Sequence, residues 1–381
     1  MAKVTEKQAK KLKNKSGKID ITFLSIVLIL LTVGLVMLFS ASYAYSLEYY
    51  DNSYRFISRQ AIFAVVGVAL MLAISRIDYH IWRKFAWVIF AVAILLLIVL
   101  LILPPMVDGM NVKRWFVMGP INFQPSEVAK FAIILLFSSL IAGNYKEMKK
   151  LGFVAFLFVI LLVTAVLIVA EPHLSATLLV LAIGVVLMIV GGLAKKFIVG
   201  GAIAGAVGIV GFMISGAISY VADRLTYWRD PWSDATGKGF QTIQSLLAIG
   251  SGGILGRGIG QSRQKYLWVP EPHNDFIFSI VCEELGLIGA VAIIILFCLL
   301  IWRGFYVAMH AKDKFGSLLA IGLTFQVGLQ AMLNIWVVTN TIPNTGISLP
   351  FFSYGGTSLL ILLCEMGLVL SVSRGSDIEK T

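Results

Sequence analysis

Apolar stretches long enough to cross a bilayer recur from residue 20 to residue 373. That repetition constrains the fold more than any motif does, because a helical span needs about 20 such residues. Ten spans are expected, at 20–41, 60–75, 84–103, 126–143, 152–170, 174–193, 197–221, 275–302, 316–340 and 356–373. Of 381 residues, 59% are hydrophobic and 13% charged, which excludes a soluble globular domain. Backbone polar groups in lipid must be satisfied within each segment, so the fold is read as all-α and polytopic. It divides into a basic tail (1–18), a ten-helix membrane domain (19–374) and a short tail (375–381), with a large loop (222–274) between helices seven and eight.

Short loops rich in Lys and Arg stay in the cytoplasm. With the N-terminus inside, the tail to Lys18, Arg76, Arg83, Lys84, Lys146, Lys149, Lys150, Lys195, Lys196, Arg303, Lys312, Lys314, Arg374 and Lys380 bring 20 of the 31 cations to that side. Both termini are therefore expected in the cytoplasm, and the loop at 222–274 outside. The first apolar stretch is too long for a cleaved leader and reads as a retained span. Its seven preceding lysines fit an anionic lipid leaflet, and no nucleic-acid partner is expected. Cys282, Cys298 and Cys364 all fall inside spans, where they serve as small apolar fillers rather than disulfides or metal ligands.

The polar chemistry collects toward the outer face. Asp275 stands where Tyr266 to Asn274 becomes the span beginning at Phe276, so it is either a helix cap or a catalyst. The outer loop carries Arg224, Arg229, Lys238, Arg257, Arg263 and Lys265, which suggests an anionic ligand. Its glycine run, Gly250 to Gly260, reads as a flexible connection or as a phosphate cradle. Lys130 lies three residues past Glu127 at the start of a span, a costly place for an ammonium unless a partner is near. Glu283 and Glu284 lie about 12 Å deeper than Asp275, on other faces, and suit structural roles. The segment from Thr341 to Gly356 has no charge, two prolines and three glycines, so it is expected to line a protected cavity at depth.

Together these segments resemble the SEDS family of bacterial shape, elongation, division and sporulation proteins. The resemblance is carried by Lys113-Arg114-Trp115, Gln124 to Glu127 with Lys130, Gln244-Ser245 with the glycine run, Gln261 to Lys265, Pro270 to Phe278, Glu283 to Gly286, and Leu349 to Gly356. The glycine run ending in Gln261 to Lys265 looks more like the division and sporulation branch than the elongation branch. The resemblance implies an inverting peptidoglycan glycosyltransferase that polymerises lipid II at the outer face of the plasma membrane, at the division septum, with Asp275 essential. Substrate-binding candidates are Lys113, Arg114, Trp115, Glu127, Lys130, Arg224, Gln244, Ser245, Arg257, Gln261, Ser262, Arg263, Lys265, His273, Ser353 and Tyr354. It also implies a class B penicillin-binding protein as transpeptidase partner, with other division proteins, the nascent glycan strand and membrane lipid. The chain departs from the family at Pro172-His173, where Pro-Asp is usual, and at Asn274, where threonine is common.

Outside the membrane no nucleotide is at hand, so a sugar donor must arrive activated, as a polyprenyl pyrophosphate does. Asp275 is expected to act as general base, with the outer cations neutralising the pyrophosphate and the glycine run supplying N–H groups. The sequence leaves open whether Mg²⁺ or Mn²⁺ shares that task. Two other readings remain: a lipid II flippase, which needs a midplane site and ideally an inverted repeat, or a non-catalytic scaffold in which Asp275 merely caps its helix.

Overall fold

The computed structural model describes residues 17–104, 114–118, 121–200 and 226–376. Lys113, Arg224 and most of the seventh expected span lie outside the described residues. Helix α1 (Ile21–Tyr50) opens at Asp20, whose carboxylate accepts from the Phe23 N–H at 2.8 Å and pairs with Arg303 at 2.9 Å. A single buried side chain thus caps one span and clamps it to another. At 30 residues α1 runs well past the expected end at 41. Its length of about 45 Å exceeds a hydrocarbon core of about 30 Å, so its outer turns stand clear of the membrane.

The chain continues through α2 (Arg55–Arg76), α3 (His80–Ile102), α4 (Pro125–Gly143), α5 (Leu151–Ala170), α6 (Leu174–Val190), α7 (Phe240–Gly252), α8 (Ile277–Met309), α9 (Lys314–Val338) and α10 (Gly356–Gly375). Eight of these, all but α6 and α7, are long and apolar enough to cross a membrane. The sixth expected span forms as the 17-residue α6, which is shorter. Between α3 and α4 a small antiparallel hairpin, β1 (Phe116–Met118) and β2 (Ile121–Phe123), interrupts the helices, with Phe116 opposite Phe123. Nothing in the sequence reading anticipates it.

Burial follows the logic of a bundle in lipid. Helices α4, α9 and α10 form the interior, where Ile133, Leu136, Phe137, Leu323 and Val369 are fully enclosed. Helices α3, α5 and α8 instead leave Trp87, Leu95, Val159, Leu162, Ile295 and Trp302 exposed. In water that pattern would be an aggregation hazard, but facing acyl chains it needs no further partner.

Candidate active site

Asp275 does not cap a helix. Helix α8 begins at Ile277 with Phe276 in the cap position and no side-chain cap bond, so of the two roles open to Asp275 the cap is not the one it takes. What fixes the segment is a set of ties to three successive carbonyls. The Tyr354 N–H donates to the His273 carbonyl at 2.8 Å, the Ser353 hydroxyl to that of Asn274 at 2.8 Å, and the Asn334 amide to that of Asp275 at 2.7 Å. The charge-free stretch 341–356 therefore packs against the Asp275 segment, and Gln60, fully buried, ties it in turn to α2 through Ser353 and Gly355. Irregular backbone at this depth persists because protein groups supply its hydrogen bonds.

The side chain of Asp275 faces a confined space. At Gly346, whose φ is +69°, an added Cβ would stand 3.2 Å from Asp275 Oδ2. Burial pushes the carboxyl up to about 6, with the charge of Glu271 acting the same way and Arg114 opposing both. A carboxyl poised there is mostly ionised at neutral pH yet basic enough to accept a proton. His273 sits in an aromatic box, 4.3 Å from the Phe56 ring and 4.9 Å from that of Tyr45, and burial lowers it to about 4. It is enclosed by these rings and 3% exposed. Tyr354 contacts Phe56 edge-on at 4.8 Å and closes the same box.

Arg114 links three parts of the outer face. Its guanidinium donates to the Pro172 carbonyl between α5 and α6, and its charge is felt at Asp275, at Glu171 and at His173. Glu171 is one residue that reading the sequence missed. It is fully buried, neither carboxylate oxygen has a partner among the described residues, and burial raises it to about 8 against the pull of Arg114. Its signal was available as a lone acid closing an apolar span before a proline. His173 is held neutral, lowered to about 3 by burial and then by Arg114 and Lys130. Trp115, half-buried, leads into β1 beside Arg114.

Lys130 does not reach for headgroups. It is 1% exposed, pairs with Glu127 at 2.8 Å and donates to Gln330 Oε1 at 3.1 Å, while Gln330 in turn donates to Ser348. Deeper in the bundle Gln326 donates to the buried Glu365 at 2.9 Å. Polar chemistry is therefore not confined to the outer face, as the sequence had suggested.

The glycine run of the outer loop, readable as a flexible connection or as a phosphate cradle, packs against α8. Helix α8 breaks at Gly286, whose φ of +66° frees backbone groups on either side. The N–H groups of Arg257 and Gly258 donate to the Glu283 and Glu284 carbonyls, while Leu287 and Ile288 donate to the Gly253 and Ile254 carbonyls. The glycine run thus spends these amides on repairing the break, and both sides of the contact are glycine because a Cβ at Gly256 would stand 2.3 Å from the Glu284 carbonyl oxygen and one at Gly286 2.2 Å from the Gly256 nitrogen. Substituting Gly286→Ala is expected to unseat the loop, read as a lower melting temperature of the purified protein in detergent.

Ser262 and Lys265 pack into the wall formed by the loop and α8. The Ser262 hydroxyl donates to Glu283, and Lys265, 2% exposed, pairs with Glu284 at 3.0 Å. Arg257 lies 3.6 Å from Glu283, and Gln261 and Arg263 remain exposed beside it. On α7, Ser245 donates to the Val338 carbonyl and Gln244 is buried. The structure thus gathers Asp275, Arg114, Glu171, Glu271 and the 341–356 stretch, and places Ser262 and Lys265 with Glu283 and Glu284 apart from them. Among the described residues no three His, Cys, Asp or Glu side chains converge as a metal site.

The FtsW, RodA and SpoVE family profile, described as cell cycle protein, matches residues 21–378. The chain is 39% identical to stage V sporulation protein E of Bacillus subtilis, over 94% of this chain and 97% of that protein. It is 38% identical to a probable peptidoglycan glycosyltransferase FtsW of a Geobacter species, over 93% and 96%. Among solved structures it is similar to a chain of a peptidoglycan synthase complex that coordinates polymerization and crosslinking, with TM-score 0.78, 29% identity, and 93% and 98% of the two chains covered. It is also similar to the rod shape determining protein RodA of Thermus thermophilus, with TM-score 0.69, 26% identity, and 95% and 98% covered.

Proposed function

The chain belongs to the FtsW, RodA and SpoVE family of cell cycle proteins, and from that membership we propose that it polymerises lipid II into glycan strands at the outer face of the plasma membrane, in septal wall synthesis, with Asp275 as general base. The observation that carries the reading is the Asp275 carboxyl itself: raised to about 6, confined against Gly346, and anchored through its backbone rather than used as a cap. Relatives named as peptidoglycan glycosyltransferases support the reaction class.

In this mechanism the Asp275 carboxylate takes the proton of the acceptor GlcNAc 4-hydroxyl as that oxygen bonds to the donor MurNAc anomeric carbon. The bond from that carbon to the pyrophosphate oxygen breaks from the opposite face, its electron pair leaves with the polyprenyl pyrophosphate, and the configuration inverts. Protonated Asp275 then returns its proton to water. Arg114 is the described cation whose field reaches Asp275, so it is suited to the departing pyrophosphate. Arg257 and Arg263 lie at the outer wall and would meet the growing strand. Among the described residues no three His, Cys, Asp or Glu side chains converge, and no step is routed through Mg²⁺ or Mn²⁺. A class B penicillin-binding protein as crosslinking partner is supported by the similar chain from a synthase complex.

The test is polymerisation of fluorescent lipid II by purified protein, resolved on gels across pH. Because the base must be ionised, kcat/KM is expected to rise with pH through a limb near 6, the Asp275 value, and to be lost below it. Absence of glycan product with and without a penicillin-binding protein would defeat the reading.

A further inference from the structure

We propose that Asn334 is the positioning residue for Asp275, an amide on α9 that holds the Asp275 segment and the 341–356 stretch together so that the carboxylate meets its substrate. This rests on the reading of Asp275 as base. Asn334 is fully buried, and its amide nitrogen donates to the Asp275 carbonyl at 2.7 Å and to the Ile347 carbonyl at 2.6 Å. Both partners are acceptors, so the NH₂ end must face them, and its two hydrogens are then fully used. The Asn334 Oδ1 is buried without a partner among the described residues, so these two bonds alone orient the side chain.

Of the three ties to residues 273–275, two come from Ser353 and Tyr354 of the 341–356 stretch and would move with it. Only the Asn334 tie starts on a spanning helix, in the bundle interior against α4, α6 and α8. It therefore anchors the Asp275 segment to a spanning helix directly, whereas Gln60 on α2 does so only through the 341–356 stretch. Its second bond, at Ile347, holds the neighbouring Gly346 so close that a Cβ there would stand 3.2 Å from Asp275 Oδ2. Misplacing a catalytic group by about 1 Å can lower a rate about 100-fold, so such a clamp matters to turnover more than to binding.

The experiment compares initial rates of lipid II polymerisation by the full-length protein in vesicles with a class B penicillin-binding protein, across pH. Variants are Asn334→Leu, which has the same branched heavy-atom skeleton and no donor, and Asn334→Ser, which keeps one donor, with Asp275→Asn as reference. Asn334→Leu is expected to lower kcat roughly 10- to 100-fold with KM changed less than about twofold, and Asn334→Ser to fall between it and wild type. The acid limb of kcat/KM is expected to move to lower pH, because a loosened carboxylate reaches water. The charged groups facing it, Glu271 from its own segment and Arg114 from the hairpin side, are unchanged in these variants. Wild-type kcat, a loss expressed in KM, or a lower rate with the acid limb unmoved each overturn the assignment. If Asn334→Leu fails to fold, the same criteria are applied to Asn334→Ser. An active Asp275→Asn defeats the base reading itself, whereas an inactive Asp275→Asn beside a fully active Asn334→Leu defeats only the role of Asn334.

Discussion

Replacing Asp275 by asparagine is expected to abolish glycan polymerisation while leaving the protein folded. Losing a general base lowers a rate by about 10² to 10⁴, and asparagine matches the shape of aspartate but cannot take up the acceptor's proton. Folding is spared because the segment is held through the carbonyls of His273, Asn274 and Asp275, which the substitution leaves in place. Burial already disfavours the ionised side chain, so a neutral amide costs the fold nothing electrostatic. The measurement pairs a gel assay of lipid II polymerisation with a melting curve in detergent. Full activity with an intact melting temperature would return Asp275 to a structural role.

The helices were legible because a bilayer imposes a length and a composition that a sequence cannot hide. Even so, α1 was cut short at residue 41, because its outer turns, from Ser42 to Tyr50, turn polar where the helix leaves the membrane. Asp275 was legible as a charge at the mouth of a span, but the choice between cap and catalyst was not, because the sequence cannot show that α8 starts two residues later. The glycine run reads as a flexible connection or as a phosphate cradle because glycine suits either, and its packing against the break at Gly286 is invisible in the local sequence. The pairing of Ser262 and Lys265 with Glu283 and Glu284 was hidden because those partners lie about 20 residues away and nothing local links them. Glu171, Glu365 and Asn334 were passed over as single polar residues at the edges or inside apolar runs. The structure shows each to be fully or almost fully buried, and that burial is what sets them apart.

The largest effect on stability is expected at the pair joining the outer loop to α8. Glu284, 1% exposed, accepts from the Lys265 ammonium at 3.0 Å and the Ser40 hydroxyl at 2.6 Å, and Lys265 is equally enclosed, donating also to the Gly260 carbonyl at 2.7 Å. Removing one member leaves the other charged and buried without its counterion, a loss of about 3–5 kcal/mol, whereas an exposed pair is worth about 0–1 kcal/mol. Glu284→Leu or Lys265→Met alone should therefore lower stability sharply in a denaturant titration of the detergent-solubilised protein. The double variant should lose much less than the sum, because the penalty belongs to the stranded charge rather than to the pair. If both single variants unfold no more easily than wild type, the ion pair is not what seats the loop, and the backbone ladder around Gly286 must hold it alone. Polymerisation by the double variant then tells whether the chemistry at Asp275, joined in sequence to that loop, needs the ion pair or only needs the loop in place.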